Sequence, residues 1–111
     1  MEREVQEKGG NEGELVLDVF ETPTHFIVKA PLAGVAPENV EVSVEHGTLT
    51  IRGSRELDSE VRSAAAVIRE CHWGAFSRSV SLPQDVEPKK TEASFESGVL
   101  TVKVLKRGAK D

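Results

Sequence analysis

Strict alternation of apolar and polar residues recurs along most of this 111-residue chain. Residues 40–45 (VEVSVE) place Val40, Val42 and Val44 on one face and polar side chains between them. The same alternation continues in segments 48–52, 76–82, 91–95 and 100–104. A period of two residues with β-branched side chains on one face is typical of strands half buried against a core. The pattern, reinforced by fifteen valines, predicts an all-β chain.

The turns between these segments agree with that prediction. His46-Gly47 and Ser97-Gly98 each join two alternating segments across two residues, which is the signal of a β-hairpin with a primed turn. Apolar runs at 15–20 and 26–30 add two further strands. The prolines are expected between strands, where no ladder N–H is lost: Pro23, Pro31, Pro37, Pro83 and Pro88. About seven or eight short strands with such turns predict an immunoglobulin-like antiparallel β-sandwich.

Length and charge narrow the class of protein further. A chain of 111 residues predicts one domain. The net charge of −5 argues against a nucleic-acid partner, and no apolar run approaches the roughly 18 residues of a membrane helix. Cys71 is the single cysteine, so no internal disulfide forms, and a reducing, cytoplasmic location is expected.

Two segments depart from the alternation. Residues 53–66 (GSRELDSEVRSAAA) are polar and charged. They are either a mobile loop or short helix, or a loop that reaches a neighbouring chain, since long loops in compact domains are usually functional or disordered. Residues 1–14 contain Gly9-Gly10 among glutamates and are expected to form a short disordered arm.

No catalytic or metal-binding set is evident. Cys71 and His72 are adjacent, so in a strand they would point to opposite faces and could not form a nucleophile–base pair. We interpret Cys71 as a half-buried strand cysteine, with an intermolecular disulfide as the alternative. His25, His46 and His72 lack metal-ligand spacing. We therefore predict no enzyme activity, no metal and no cofactor, and function must lie in surfaces such as edge strands and the groove between the sheets.

Residues 93–100 (ASFESGVL) resemble the Ala-x-x-x-x-Gly-Val-Leu signature of the small heat-shock proteins. Residues 76–106 are similar to the family's strand, Leu-Pro turn and closing hairpin, and residues 30–55 to its connection followed by two paired strands. The resemblance implies an α-crystallin domain over 15–106, of the bacterial and plant branch, followed by a short tail at 107–111.

The family also implies an ATP-independent holdase, which captures partly unfolded client proteins and leaves refolding to ATP-dependent chaperones. Its groove would lie between strand 40–44 and strand 91–96. The candidate lining is Val40, Val42, Val44, Ala93 and Phe95. The alternative for each of these side chains is that it simply fills the core.

The bacterial and plant branch exchanges a strand of the mid-chain loop between the two subunits of a homodimer, so the resemblance favours an exchanged loop at 53–66. The expected interface residues are Leu57, Val61, Val67 and Arg78. Family members usually carry an Ile-x-Ile segment after the domain, whereas this chain ends in VLKRGAKD, so a dimer is expected rather than a large shell. A co-chaperone or scaffold module like p23, binding one folded partner, is the competing function.

Overall fold

The computed structural model describes residues 13–110, which form two four-stranded sheets. The strands are β1 Gly13–Glu14, β2 Asp18–Glu21, β3 His25–Pro31, β4 Val40–Glu45, β5 Thr48–Arg55, β6 Gly74–Ser81, β7 Val86–Glu96 and β8 Val99–Lys106. A 3₁₀ turn, Pro37–Asn39, precedes β4, and one short helix, α1, spans Ser59–Arg62. The part of the chain described here contains no helix that is long and apolar enough to cross a membrane.

The strand order is β1-β6-β5-β4 in one sheet and β2-β3-β8-β7 in the other. Every pair is antiparallel except β1 with β6, which is parallel. The β-sandwich predicted from the alternation is confirmed. Residues 1–12, most of the predicted N-terminal arm, lie outside the described residues, and β1 begins two residues before the predicted domain boundary at residue 15.

Alternation places one face of each strand in the core. Val28 of β3 lies opposite Val102 of β8, and Leu49 and Ile51 of β5 occupy the facing sheet; all four are almost completely buried. Together with Leu32, Phe76 and Leu100 they belong to a single apolar cluster between the sheets. Burying such side chains is the main favourable term in folding.

Both predicted hairpin turns are present. His46 and Gly47 have φ angles of 54° and 73°, and Ser97 and Gly98 have 53° and 76°. Positive φ at both central positions is the requirement of a type I′ turn, which glycine meets without steric cost. These turns set the register of β4 with β5 and of β7 with β8.

Residues 15–20, predicted as one strand, are divided in the structure. Leu15, Val16 and Leu17 form the link between β1 and β2, and only residues from Asp18 onward pair in the second sheet. Leu15 is 7% exposed and belongs to the core cluster, whereas Val16 is 77% exposed. The chain crosses here from one sheet to the other, which an apolar run by itself does not reveal.

The prediction that all prolines lie between strands is wrong for two of them. Pro31 is the last residue of β3, and Pro88 lies inside β7. The pairing of β7 with β8 passes from Val86 opposite Lys106 to Thr91 opposite Val104, so residues 87–90 face Leu105 alone. Pro88 is tolerated because this bulge interrupts the ladder at its position.

Candidate functional site

The two edge strands β4 and β7 lie on the same long side of the sandwich. On the opposite side, the edge strands β1 and β2 are joined by residues 15–17. Three extended residues span about 10 Å, the usual distance between packed sheets, so β1 and β2 are neighbours across the sandwich. The remaining edges, β4 and β7, therefore face each other across the inter-sheet space.

The valines predicted to line a groove point into that space from β4. Val42 is paired with Ile51 and Val44 with Leu49, and both partners are buried inner-face residues of β5. Val40, Val42 and Val44 are half buried and pack against the core cluster. Each valine thus contributes to the core and keeps part of its surface accessible at the edge.

The residues predicted from β7 occupy the facing edge. Phe95 lies opposite Leu100 and Ala93 opposite Val102, so both are on the inner face of their sheet. Phe95 is half buried against the core, and Ala93 is exposed. The structure therefore brings all five predicted groove residues to one side of the sandwich; that they bind another chain stays a prediction.

A cavity of about 270 Å³ lies where the end of β4 meets the beginning of β7. Its lining is mainly apolar and comprises Gly47, Leu82, Pro83, Gln84, Val86, Pro88 and Arg107. The backbone N–H of Leu82 donates to the Gly47 carbonyl at 2.9 Å and holds the two walls together. This cavity, at the same side of the sandwich, was not predicted from the sequence; Pro83 and Pro88 in its lining are the residues that could have indicated irregular backbone there.

The mid-chain loop exposes apolar side chains that the sandwich does not use. It runs from Glu56 to Trp73 and contains α1. Val61 is 47% exposed, Val67 is 95% exposed, and Ile68 is 79% exposed, whereas Leu57 is half buried. Ile68, the exposed neighbour of Val67, was not among the predicted interface residues. Adjacent exposed Val67 and Ile68 are the kind of side chains that partners cover.

Arg55 fixes both ends of this loop. Its Nε donates to the Ala33 carbonyl at 2.8 Å and a terminal nitrogen donates to the His72 carbonyl at 3.1 Å. The guanidinium carbon lies 5.9 Å from the centroid of the Trp73 ring. Arg55 stands at the end of β5, so its contacts join the beginning and the end of the loop to the β3–β4 connection. An arginine is suited to this role because its planar donors reach several acceptors at once.

Arg78, a predicted interface residue, has a partner within its own chain. It is half buried in β6 and donates to the Leu15 carbonyl at 2.7 Å. This hydrogen bond anchors the link that closes the β1–β2 side. Contact of Arg78 with a second subunit stays a prediction.

The interpretation of Cys71 as a half-buried strand residue is wrong. Cys71 is exposed and lies before β6, in the irregular end of the mid-chain loop. The His72 ring Nε2 is 2.7 Å from the Ala75 carbonyl, which fixes the ring locally. Among residues 13–110, no three or more His, Cys, Asp or Glu side chains cluster as metal ligands would.

Comparison with known proteins identifies relatives over most of the chain. The Hsp20/alpha crystallin family model matches residues 18–111. The chain is 31% identical over 90 residues to small heat shock protein C4 of Rickettsia felis, covering 81% of this chain and 55% of that protein. It is 38% identical over 95 residues to the 18.1 kDa class I heat shock protein of Oryza sativa subsp. japonica, covering 85% of this chain and 59% of that protein.

Structural similarity leads to the same group. The crystal structure of hspA from Xanthomonas axonopodis superposes with a TM-score of 0.79 at 30% identity, covering 89% of this chain and 99% of that one. The chain spans between 55% and 59% of the length of the two curated relatives above. It belongs to the Hsp20/alpha crystallin family, the family of the small heat shock proteins.

Proposed function

We propose that this chain is an ATP-independent holdase chaperone that binds partly unfolded proteins and suppresses their aggregation. The observation that carries the proposal is the groove between β4 and β7, where Val40, Val42, Val44 and Phe95 are half buried at an open edge. Family membership supports a chaperone role. The mechanism described next requires no nucleotide.

A destabilised client exposes apolar side chains and unpaired backbone groups. Burial of apolar surface in the groove contributes about 25 cal/mol per Å². An extended client segment can also hydrogen-bond to the free edge of β4 or β7, as in strand addition to a sheet edge. Because the chaperone binds the non-native state and leaves the native state alone, mass action withdraws molecules from aggregation without chemical energy.

We further propose that the protein acts as a homodimer in the cytoplasm and passes its clients to ATP-dependent refolding chaperones. The interface would use Leu57, Val61 and Val67 of the mid-chain loop, with Arg78 of β6. The strongly exposed Val67 and its neighbour Ile68 support this part of the proposal, since apolar side chains exposed together mark interaction surfaces.

The test of holdase activity follows light scattering from a heated model client with stoichiometric protein and no ATP. Suppression is expected. Unchanged turbidity at several-fold excess would count against client holding and would favour the alternative of a module that binds one folded partner.

A pair of neighbouring substitutions separates groove from core. Phe95→Asp places a charge on the inner face of β7, and Ser94→Asp places the same charge on its exposed outer face. We expect Phe95→Asp to stay folded by circular dichroism and to lose suppression, while Ser94→Asp retains it. Val42→Asp and Ser43→Asp form the equivalent pair on β4. Equal suppression by both members of each folded pair would refute the groove.

Subunit association is tested by sedimentation velocity on the double variant Val67→Asp/Ile68→Asp. Ser63→Asp, in the same exposed loop, is the matched control. Dimers are expected for the wild type and the control, and monomers for the double variant. Dimers of unchanged stability in the double variant would refute this interface.

A further inference from the structure

Two consecutive lysines, Lys89 and Lys90, lie in the bulge of β7. Residues 87–90 face the single residue Leu105 of β8, so this segment stands out from the ladder. The Thr91 hydroxyl donates to the Pro88 carbonyl at 2.6 Å and closes the bulge. Bulges of this kind re-aim side chains and often lie beside functional sites.

The bulge borders a cavity of about 200 Å³. The lining residues come from three adjacent strands and are His25, Lys89, Lys90, Thr91, Glu92 and Lys103. The cavity is on the outer face of its sheet, because Lys103 lies between the buried inner-face residues Val102 and Val104. It is therefore separate from the groove, which uses the inner face of β7.

The charges around this cavity are not balanced. Within residues 13–110, Lys89, Lys90 and Lys103 form no ion pair, whereas Lys106 nearby lies 3.5 Å from a Glu21 carboxylate oxygen. Glu92 is the one carboxylate in the lining, against three ammonium groups. An anion would relieve the repulsion among these ammonium groups.

The wider charge distribution agrees. Residues 88–110 contain six lysines and arginines and two glutamates, a net charge of +4, whereas the whole chain carries −5. The remaining residues therefore carry −9, the difference between −5 and +4. Part of this charge lies after β8, in Arg107 and Lys110, and the β7–β8 hairpin itself, residues 86–106, contains four lysines and three glutamates, a net charge of +1.

We propose that this cavity binds an anion built of two or more linked phosphoryl groups. Lysine ammonium groups are strong phosphate donors that act as point charges, and three of them from separate positions can engage separate phosphoryl groups. Thr91 lines the same cavity. Three ammonium groups against the single Glu92 carboxylate leave a positive excess in the lining, which favours a multiply charged chain over a single phosphate.

Such a chain has two sources, a free polyphosphate or the triphosphate tail of a nucleotide. The lining contains no phenylalanine or tryptophan on which a base could stack; His25 is its one ring. The phosphate chain is therefore the recognised part, and a free polyphosphate is expected to bind at least as tightly as a nucleoside triphosphate.

Isothermal titration calorimetry in about 50 mM salt, where exposed charges are only partly screened, tests the proposal. The probes are tripolyphosphate, ATP, orthophosphate and sulfate. The variants are Lys103→Gln and Lys89→Gln/Lys90→Gln, with Lys110→Gln as the matched control, because Lys110 is exposed and outside the lining.

Tripolyphosphate is expected to bind the wild type and to lose about tenfold in affinity in each lining variant, the size expected for loss of a charged hydrogen bond. The control should stay within about twofold, and tripolyphosphate should raise the melting temperature of the wild type more than that of the lining variants. Equal losses in Lys110→Gln, equal affinity for sulfate, or much tighter binding of ATP would overturn the proposal. Without phosphate, Lys103→Gln should suppress client aggregation as well as the wild type does. Failure of the anion-binding proposal can therefore be distinguished from failure of the holdase proposal.

Discussion

The two long sides of the sandwich differ in how the apolar space between the sheets is closed. On the side of β1 and β2, Leu15 enters the core and the Arg78 guanidinium holds its carbonyl, so the inter-sheet space is closed by the chain itself. On the side of β4 and β7, half-buried valines and Phe95 border the inter-sheet space, and no segment among residues 13–110 links these two edges as residues 15–17 link β1 to β2. The fold therefore does not require an open side: residues 15–17 close the β1–β2 side, and the β4–β7 side differs because of its own residues.

A substitution that opens the sealed side should have the largest effect on stability. Leu15→Ala removes a buried side chain at the core, and such changes cost about 2–5 kcal/mol. We expect a matching drop in the free energy of unfolding measured by urea denaturation. Val16→Ala is the control at the adjacent, exposed position and should change stability by less than about 0.5 kcal/mol. Equal losses would mean that Leu15 does not seal this side.

Removing the hydrogen bond that anchors the seal should have the next largest effect. Arg78→Ala leaves the Leu15 carbonyl without its charged donor, which is expected to cost about 1–3 kcal/mol. Arg52→Ala, at an exposed position of the neighbouring strand β5, is the control. Hydrogen exchange of the Leu15 amide should also accelerate in Arg78→Ala and not in Arg52→Ala; no acceleration would argue that the link is held by Leu15 alone.

On the open side the same kind of truncation should be cheaper for folding and costly for client binding. Val42→Ala at a half-buried position is expected to lower stability by about 1 kcal/mol, whereas Val28→Ala at a fully buried one should cost about 2–3 kcal/mol. At a temperature where both variants are folded, we expect Val42→Ala to suppress client aggregation less well than Val28→Ala. The reverse order would place the working surface elsewhere.

The smallest effect is expected at the ion pair between Lys106 and Glu21. Its two atoms are 3.5 Å apart and the Glu21 side chain is 56% exposed. Exposed ion pairs contribute about 0–1 kcal/mol, so Glu21→Gln should change the free energy of unfolding by less than about 0.5 kcal/mol. A larger change that persists at high salt would show that Glu21 has a packing role in β2.

The features predicted correctly from the sequence are those determined by residues that are neighbours in the chain. The alternation in residues 40–45 predicted the inner and outer faces of β4, and the His46-Gly47 pair predicted its turn to β5. The features predicted wrongly are those that depend on pairing with residues distant in the sequence. The bulge at Pro88 exists because β8 supplies one residue opposite four, and nothing near Pro88 in the sequence states this.

In the candidate site, too, features set by neighbouring residues were predicted and features set by distant contacts were not. Alternation placed Val40, Val42 and Val44 on one face of their strand and Ala93 and Phe95 on one face of theirs, because the period of a strand determines its faces. That these faces border a groove was implied by the family resemblance. The end of the groove near Pro83 and Val86 was missed, since it forms only when the β4–β5 turn approaches the beginning of β7. Cys71 was wrongly predicted to lie in a strand, because the residues around it do not show that β6 begins only at Gly74.

The anchoring of the mid-chain loop by Arg55 has a consequence for how this domain can change. Arg55 immediately precedes the loop and its guanidinium contacts the loop's last residues, so the two ends of the loop lie close together. Lengthening the segment between them therefore adds only a slowly growing entropy of loop closure. Substitutions in this segment can change its exposed side chains while the two packed sheets keep their geometry.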